Sequence, residues 1–256
     1  RQRFFDQRAA FNKLIRERAR QEEINDIVRD AIKSAIEASP QHDMAVDTTV
    51  FQSSDNDLLA SLNDLHFGAW VDNHWNQYDS EQCQKMLKQY LNEIVEIKKL
   101  HNSDECYVWA NGDLISGNIH KSIAVSNREN VIQQLTGVAE LIAAFLNELS
   151  HHFNKVTFLS VAGNHSRIER KEDALLAERL DMIVPWYLEG RFMLHPKIKI
   201  ASEANFDPTM YEIKIRGKRY IGIHGDYDFG DTGIMKLSSM VGGDIYAVLT
   251  AHLHHN

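Results

Sequence analysis

Cysteine is nearly absent. The 256 residues contain two, Cys83 and Cys106. They form no Cys-x-x-Cys unit, and no spacing pairs them, so the expectation is two reduced thiols in a cytoplasmic protein rather than a disulfide framework. Long apolar runs are missing too. None approaches the roughly 18 residues that a membrane span requires, so no membrane partner is expected. No secretory signal is visible. The chain starts at Arg1 rather than Met and stops at Asn256, just after His252-Leu253-His254-His255, so trimming at both ends is expected. There is no excess of positive charge: the formal net charge is −8, which speaks against general affinity for nucleic acid. A carboxylate-rich metal site would itself raise the acidic count. Internal repeats and low-complexity segments are absent.

What remains is an ordinary globular composition, 43% hydrophobic and 25% charged, long enough for one large α/β domain or two small ones. Histidine stands out. The chain has 13, about twice average usage, and they are dispersed, so a tag does not explain them. Residues 1–40 are expected to form an N-terminal helical arm ahead of a domain spanning 41–256. In that arm Ile24, Ile27, Val28, Ala31, Ile32, Ala35 and Ile36 recur at three- and four-residue steps, and Pro40 follows as a stop. Its first twenty residues are strongly basic. Two readings stand: an arm that meets a nucleic-acid backbone or a partner, including a second copy of the chain, and a solvated helix face. Residues 41–57 read as a lead-in with a short β-prone piece, Thr48-Thr49-Val50-Phe51.

From there strands and helices alternate. Strands are expected at 58–63, 106–110, 156–161, 197–201, 209–215, 218–223 and 245–249. Helices are expected at 80–100, 128–152, 171–184 and 232–240. Arg216-Gly217 joins two strands as a hairpin turn. The fold class is α/β, a layered β-sheet core flanked by helices.

Each strand ends in polar residues of one kind. The first runs into Asp64-Leu65-His66, where side chains two apart share a face. The next ends in Asn111-Gly112-Asp113, and the third in Gly163-Asn164-His165. The hairpin ends in His224-Gly225-Asp226, and the last strand in Ala251-His252-Leu253-His254. Sites in open α/β sheets form at the carboxyl ends of strands. Five such ends carrying Asp, His and Asn toward one edge point to divalent metal.

This ordered set, Asp-x-His, Gly-Asp, Gly-Asn-His, a lone His and x-His-x-His over residues 62–254, resembles the calcineurin-like metallophosphoesterase family. The resemblance implies the sandwich fold of that family. It also implies a dinuclear centre, with Asp64, His66 and His254 on one ion, Asn164, His224 and His252 on the other, and Asp113 bridging. His165 would reach the phosphate and assist the leaving oxygen. The implied reaction is phosphoester hydrolysis by a hydroxide clamped between two cations. The implied cofactors are two divalent ions, with manganese first and iron, zinc or magnesium as alternatives.

The chain departs from the family pattern at three places. Ser166 and Arg167 follow Gly-Asn-His, Ser116 replaces the second Asp of Gly-Asp-x-x-Asp, and Ala251 replaces a Gly. The first two argue against a protein phosphatase. The Asp-Leu-His-Phe-Gly opening is closest to the exonuclease-like branch with its SbcD-type repair nucleases, so the expected function is a phosphodiesterase or nuclease acting on nucleic acid, as in DNA repair. Arg167 is a candidate substrate contact. Lys214, Arg216, Lys218 and Arg219 either hold a nucleic-acid backbone or decorate an exposed turn. Trp70, His74, Trp75 and Tyr78 either stack on a base or cap the core. Two alternatives stay open: hydrolysis of a small phosphodiester or phosphomonoester, and a non-catalytic scaffold on the same fold.

Overall fold

A computed structural model describes residues 54–119, 121–227 and 230–254. The expected N-terminal helical arm and the β-prone piece at 48–51 lie outside the described residues, as do His120 and His255.

The strands that read as continuous apolar runs are the ones buried on both faces. Glu105–Ala110 (β4) and Lys155–Ser160 (β5) each bury all but the first residue. Leu58–Ser61 (β1) alternates buried and exposed, as befits an edge. With Ile198–Ile200 (β6) they form a parallel sheet in the order β1-β4-β5-β6. A second sheet is made from Asn205–Asp207 (β7), Met210–Ile215 (β8), Lys218–Ile223 (β9) and Ala247–Leu249 (β10), in the order β10-β9-β8-β7. There β8 and β9 are antiparallel, while β10 runs parallel to β9. The Arg216-Gly217 turn has both residues at positive φ, 49° and 76°, the conformation whose twist matches a two-residue hairpin. A small ribbon of Val71–Asp72 (β2) and Gln77–Tyr78 (β3) lies between β1 and the first helix. No strand is expected here from the sequence, because two-residue strands are too short to show a period.

The helices are Ser80–His101 (α1), Lys121–Ser126 (α2), Val131–Ser150 (α3), Ile183–Phe192 (α4) and Gly230–Val241 (α5). Asp79 starts α1 by accepting from the Gln82 N–H at 2.8 Å. Asn130 and Gln133 form a reciprocal capping box at the start of α3. The helix expected over 171–184 does not form. That segment holds two short 3-10 turns, Leu176–Glu178 and Leu180–Met182, and α4 begins only at Ile183. Pro185 lies in the first turn of α4, where proline loses no hydrogen bond and is tolerated. Upstream, Arg179 and Asp181 are buried polar groups engaged with distant backbone.

Apolar residues of both sheets share one buried cluster, with Tyr107, Trp109 and Leu159 from the first and Tyr211, Ile215 and Tyr220 from the second. Tyr211 is fully buried, and its hydroxyl donates to Asn111 Oδ1 at 3.0 Å. A buried hydroxyl without a partner costs about 1–3 kcal/mol, so this bond fixes Asn111 at the end of β4. Asn111 Nδ2 in turn donates to the Leu249 carbonyl of β10 at 2.9 Å, linking the two sheets where the candidate residues gather. Among the described residues, no helix is long and apolar enough to cross a membrane. Cys83 and Cys106 are both buried and free.

Candidate metal centre

The loops leaving the parallel strands run side by side as a ladder that continues the sheet. Asp64 N–H donates to the Gly112 carbonyl at 3.1 Å, His66 N–H to the Asp113 carbonyl at 2.9 Å, and Phe67 N–H to the Leu114 carbonyl at 2.9 Å. The next loop is tied in by His165 N–H, which donates to Asp113 Oδ1 at 2.8 Å. Two glycines permit this closeness. A Cβ on Gly112 would sit 2.4 Å from the Gly163 nitrogen, and one on Gly163 would sit 2.1 Å from both the Asp113 nitrogen and Oδ1. From the second sheet, Ala251 N–H donates to the His224 carbonyl at 2.9 Å, and His252 N–H lies 3.2 Å from Asp64 Oδ2.

The backbone at these positions is strained. Among the described residues, seven other than glycine have left-handed φ, and five of them are Asp64, His66, Asp113, His252 and His254. L-residues pay about 1–2 kcal/mol for that conformation, and such outliers cluster at functional sites. The strain turns the donor atoms onto one spot. Three overlapping groups result, Asp64-His66-His254, His66-Asp113-His165 and Asp113-His224-His252, each with its donor atoms within 4.8 Å of one another. Asn164 joins the third, its Oδ1 lying 3.0 Å from His224 Nε2. All seven predicted ligands and His165 are therefore brought together. His165 nitrogen lies close enough to join a donor group, whereas the sequence reading gave it no ligand role.

The donor chemistry fits divalent cations. His224 Nδ1 donates to the Asn111 carbonyl at 2.6 Å, because a carbonyl can only accept. That fixes the tautomer and leaves the Nε2 lone pair facing Asn164 Oδ1 at 3.0 Å and Asp113 Oδ2 at 3.3 Å. Three electron-rich atoms turned on one another in a buried place need a positive charge between them. A proton can supply it. Burial alone would lower the His224 pKa, but the hydrogen bond and charge of Asp113 overcome this and raise it. Burial likewise opposes the charged Asp113 carboxylate, yet His224 and His165 hold its pKa below the usual range. His66 is pushed down to about 4, chiefly by burial, and is neutral near pH 7, the form a ligand requires. Burial raises Asp64. Imidazole, carboxylate and amide donors together could hold a metal ion.

His165 is oriented separately. Its Nδ1 donates to the Ser116 carbonyl at 2.7 Å, which leaves Nε2 as the ring atom able to exchange a proton. Arg167 Nε donates to the Asn164 carbonyl at 2.9 Å, so this predicted substrate contact is engaged with its own loop. The hairpin cations are at the other end of the strands. Arg216 grips Asp57, just before β1, at 2.8 and 2.9 Å. Arg219 pairs with Glu212 at 2.6 Å, and Lys218 Nζ sits 4.1 Å from the Tyr246 ring centre. They decorate and brace the turn and lie away from the site.

The structure adds two residues that the sequence reading missed. Asp181 Oδ2 accepts from Gly163 N–H at 2.9 Å and from Asp113 N–H at 3.1 Å. Arg179 donates to the Gly163 carbonyl at 2.6 Å and to the Tyr227 hydroxyl at 3.0 Å. Together they hold two of the three candidate loops that leave the parallel sheet. Their only local signal is a pair of opposite charges two apart before an apolar run, which is too common to single out. No family model and no curated protein matches this chain.

Proposed function

We propose that the chain is a metal-dependent phosphoester hydrolase with the sandwich fold of the calcineurin-like metallophosphoesterases. Asp64, His66 and His254 would hold one divalent cation, Asn164, His224 and His252 a second, and Asp113 both. Manganese is the first choice for each. The observation that carries this reading is the chain of three overlapping donor groups joined through His66 and Asp113. Cations bound there lower the pKa of a water and offset charge on phosphoryl oxygens.

The protein's own contribution is orientation and proton transfer. A water gives up one proton to solvent, and the hydroxide so formed attacks phosphorus while the bond from phosphorus to the alcohol oxygen breaks on the opposite side. His165, entering with a proton on each ring nitrogen, gives the Nε2 proton to that departing oxygen and regains one from solvent, while Nδ1 keeps its bond to Ser116. Such general acid assistance is worth about 10²–10⁴ in rate. The preferred substrate is a phosphodiester of nucleic acid. A small phosphoester is the second reading, favoured by an apolar cavity that opens beside the site.

The test is turnover of bis-p-nitrophenyl phosphate and of labelled single- and double-stranded DNA, with and without manganese. The His165→Ala protein should keep its metal and lose about 10²–10⁴ of the rate. DNA cleavage that the variant lacks supports the nuclease. Turnover of the small ester alone supports the second reading. Unchanged turnover in His165→Ala would remove that residue from catalysis, and silence of the metal-loaded protein on every ester would sink the hydrolase.

A further inference from the structure

A cavity of about 770 Å³ opens directly from the donor cluster. At one end its wall is Asp64, His66, His165 and His254. The rest is formed mainly by Trp70, Val71, Tyr78, Met86, Leu87 and Tyr90, from the β2–β3 ribbon and α1. We propose that this cavity is a subsite for one ester arm of the substrate, and that the arm it takes is a neutral planar aromatic group, aryl or nucleoside. The assignment rests on the hydrolase reading for the identity of the other end.

Three observations carry it. The first is continuity, since a phosphoryl group held by the donor cluster would present its ester arm to the cavity mouth. The second is charge. Among the described residues lining the cavity there is no lysine or arginine, so a second phosphate inside it would have no counter-charge. Burial keeps Tyr78, Tyr90 and Cys83 in their neutral forms by raising each pKa. The third is preformed aromatic walls. The Tyr78 hydroxyl donates to the Leu65 carbonyl. Tyr90 accepts from Ser61 N–H at 2.9 Å and stacks on Phe145 within 9° of parallel. Arg128 lies 5.0 Å from the Trp70 ring centre and braces it. Walls fixed before binding lose little freedom on binding. The volume falls in the range of small-molecule sites and leaves room for one aryl or nucleoside group.

The experiment compares three non-hydrolysable phosphonates on the full chain with manganese, by calorimetry. Phenylphosphonate and thymidine 5′-phosphonate should bind about 10- to 100-fold tighter than methylphosphonate, the gain expected from burying an aromatic ring. The tighter of the two distinguishes an aryl from a nucleoside arm. Met86→Trp, a half-exposed helix position, should fill the cavity and bring the ratio close to one. Trp70→Ala should reduce the ratio part-way. A ratio near one in the parent chain, or one that both variants leave intact, overturns the proposal. Turnover of bis-p-nitrophenyl phosphate is read on the same samples. Turnover without the ratio leaves the hydrolase and removes the subsite. The ratio without turnover of this ester or of the DNA substrates leaves an aromatic-binding cavity and removes the hydrolase.

Discussion

Replacing Asp181 separates two effects of one buried carboxylate. Its Oδ2 accepts from the N–H groups of Gly163 and Asp113, and the residue is 1% exposed. In Asp181→Ala both donors lose their acceptor, at about 1–3 kcal/mol each, so about 2–6 kcal/mol together. In Asp181→Asn an amide oxygen can take the same place and both donors keep a partner. Neither variant carries charge, so the difference between them isolates the acceptor. It should be about 2–6 kcal/mol at any pH. With an m-value of about 2 kcal/mol per M urea, the midpoints should differ by about 1–3 M.

The charge appears in the comparison of the parent chain with Asp181→Asn. Burial, with the nearby Asp113 charge adding to it, raises the Asp181 pKa from 3.8 to about 6. A carboxyl with a raised folded-state pKa binds its proton more tightly when folded. It therefore costs stability as pH rises through the interval between the two values, and the full cost of about 3 kcal/mol is present only above the higher one. Asp181→Asn has no such slope. Without metal, it should gain about 1–2 kcal/mol on the parent chain between about pH 5 and about pH 8. Urea titrations of the three chains in chelator, at several pH values, test both claims. Equal midpoints for the Asn and Ala variants would refute the acceptor role. A gap between parent and Asn variant that does not change with pH would refute the charge argument.

Gly163→Ala should unfold earlier than the parent and lose metal, because the added Cβ meets backbone 2.1 Å away. Gly190→Ala in α4 meets nothing within 4 Å and should stabilise by about 0.5–1 kcal/mol. Thermal melts and metal analysis compare the two. Asp113→Asn should lower occupancy of both proposed metals in elemental analysis, and full retention of one ion would show that Asp113 does not bridge. Manganese at about 100 times its dissociation constant should stabilise the parent chain by about 2.7 kcal/mol, and chelator should reverse this. A melting temperature indifferent to manganese would speak against a native cation site.

The polar blocks after β4 and β5 were legible in the sequence because a strand buried on both faces is a continuous apolar run with a sharp end. Whatever follows Ala110 or Ser160 must lie at the sheet edge. The helices α1 and α3 were legible for a similar reason, since the apolar period that marks a helix is local. Asp181 was not, because its donors lie 18 and 68 residues away and its burial is decided by packing. The segment around it carries Leu175, Leu176, Ala177 and Leu180, which imitates a helix. Leu175 and Leu176 are exposed instead. The aromatic ribbon beside the site failed for another reason. Trp70 directly precedes β2 and Tyr78 ends β3, strands of so few residues that they carry no period, and their position comes from single contacts such as Tyr78 to the Leu65 carbonyl.

Those distant contacts explain how the strained loops persist. Five left-handed residues at about 1–2 kcal/mol each amount to about 5–10 kcal/mol, comparable to the whole stability of a typical domain. A loop left to itself would relax. Here the carbonyls of Gly112 and Asp113 accept from Asp64 and His66 on one side. Asp181 and Arg179 take up the N–H and carbonyl of Gly163 on the other. Each ligand loop is thus held by a neighbour that is itself held, and the last holders, Asp181 and Arg179, are buried groups with no donor atom in the cluster. Strain at the ligands and burial of charge beneath them are two parts of one arrangement. The buried pair disfavours relaxation of the loops, and the converging donors gain their return only when positive charge stands between them. It follows that substitutions at Asp181 and at Asp113 should be strongly non-additive, since the first decides whether the second is still pointing into the site.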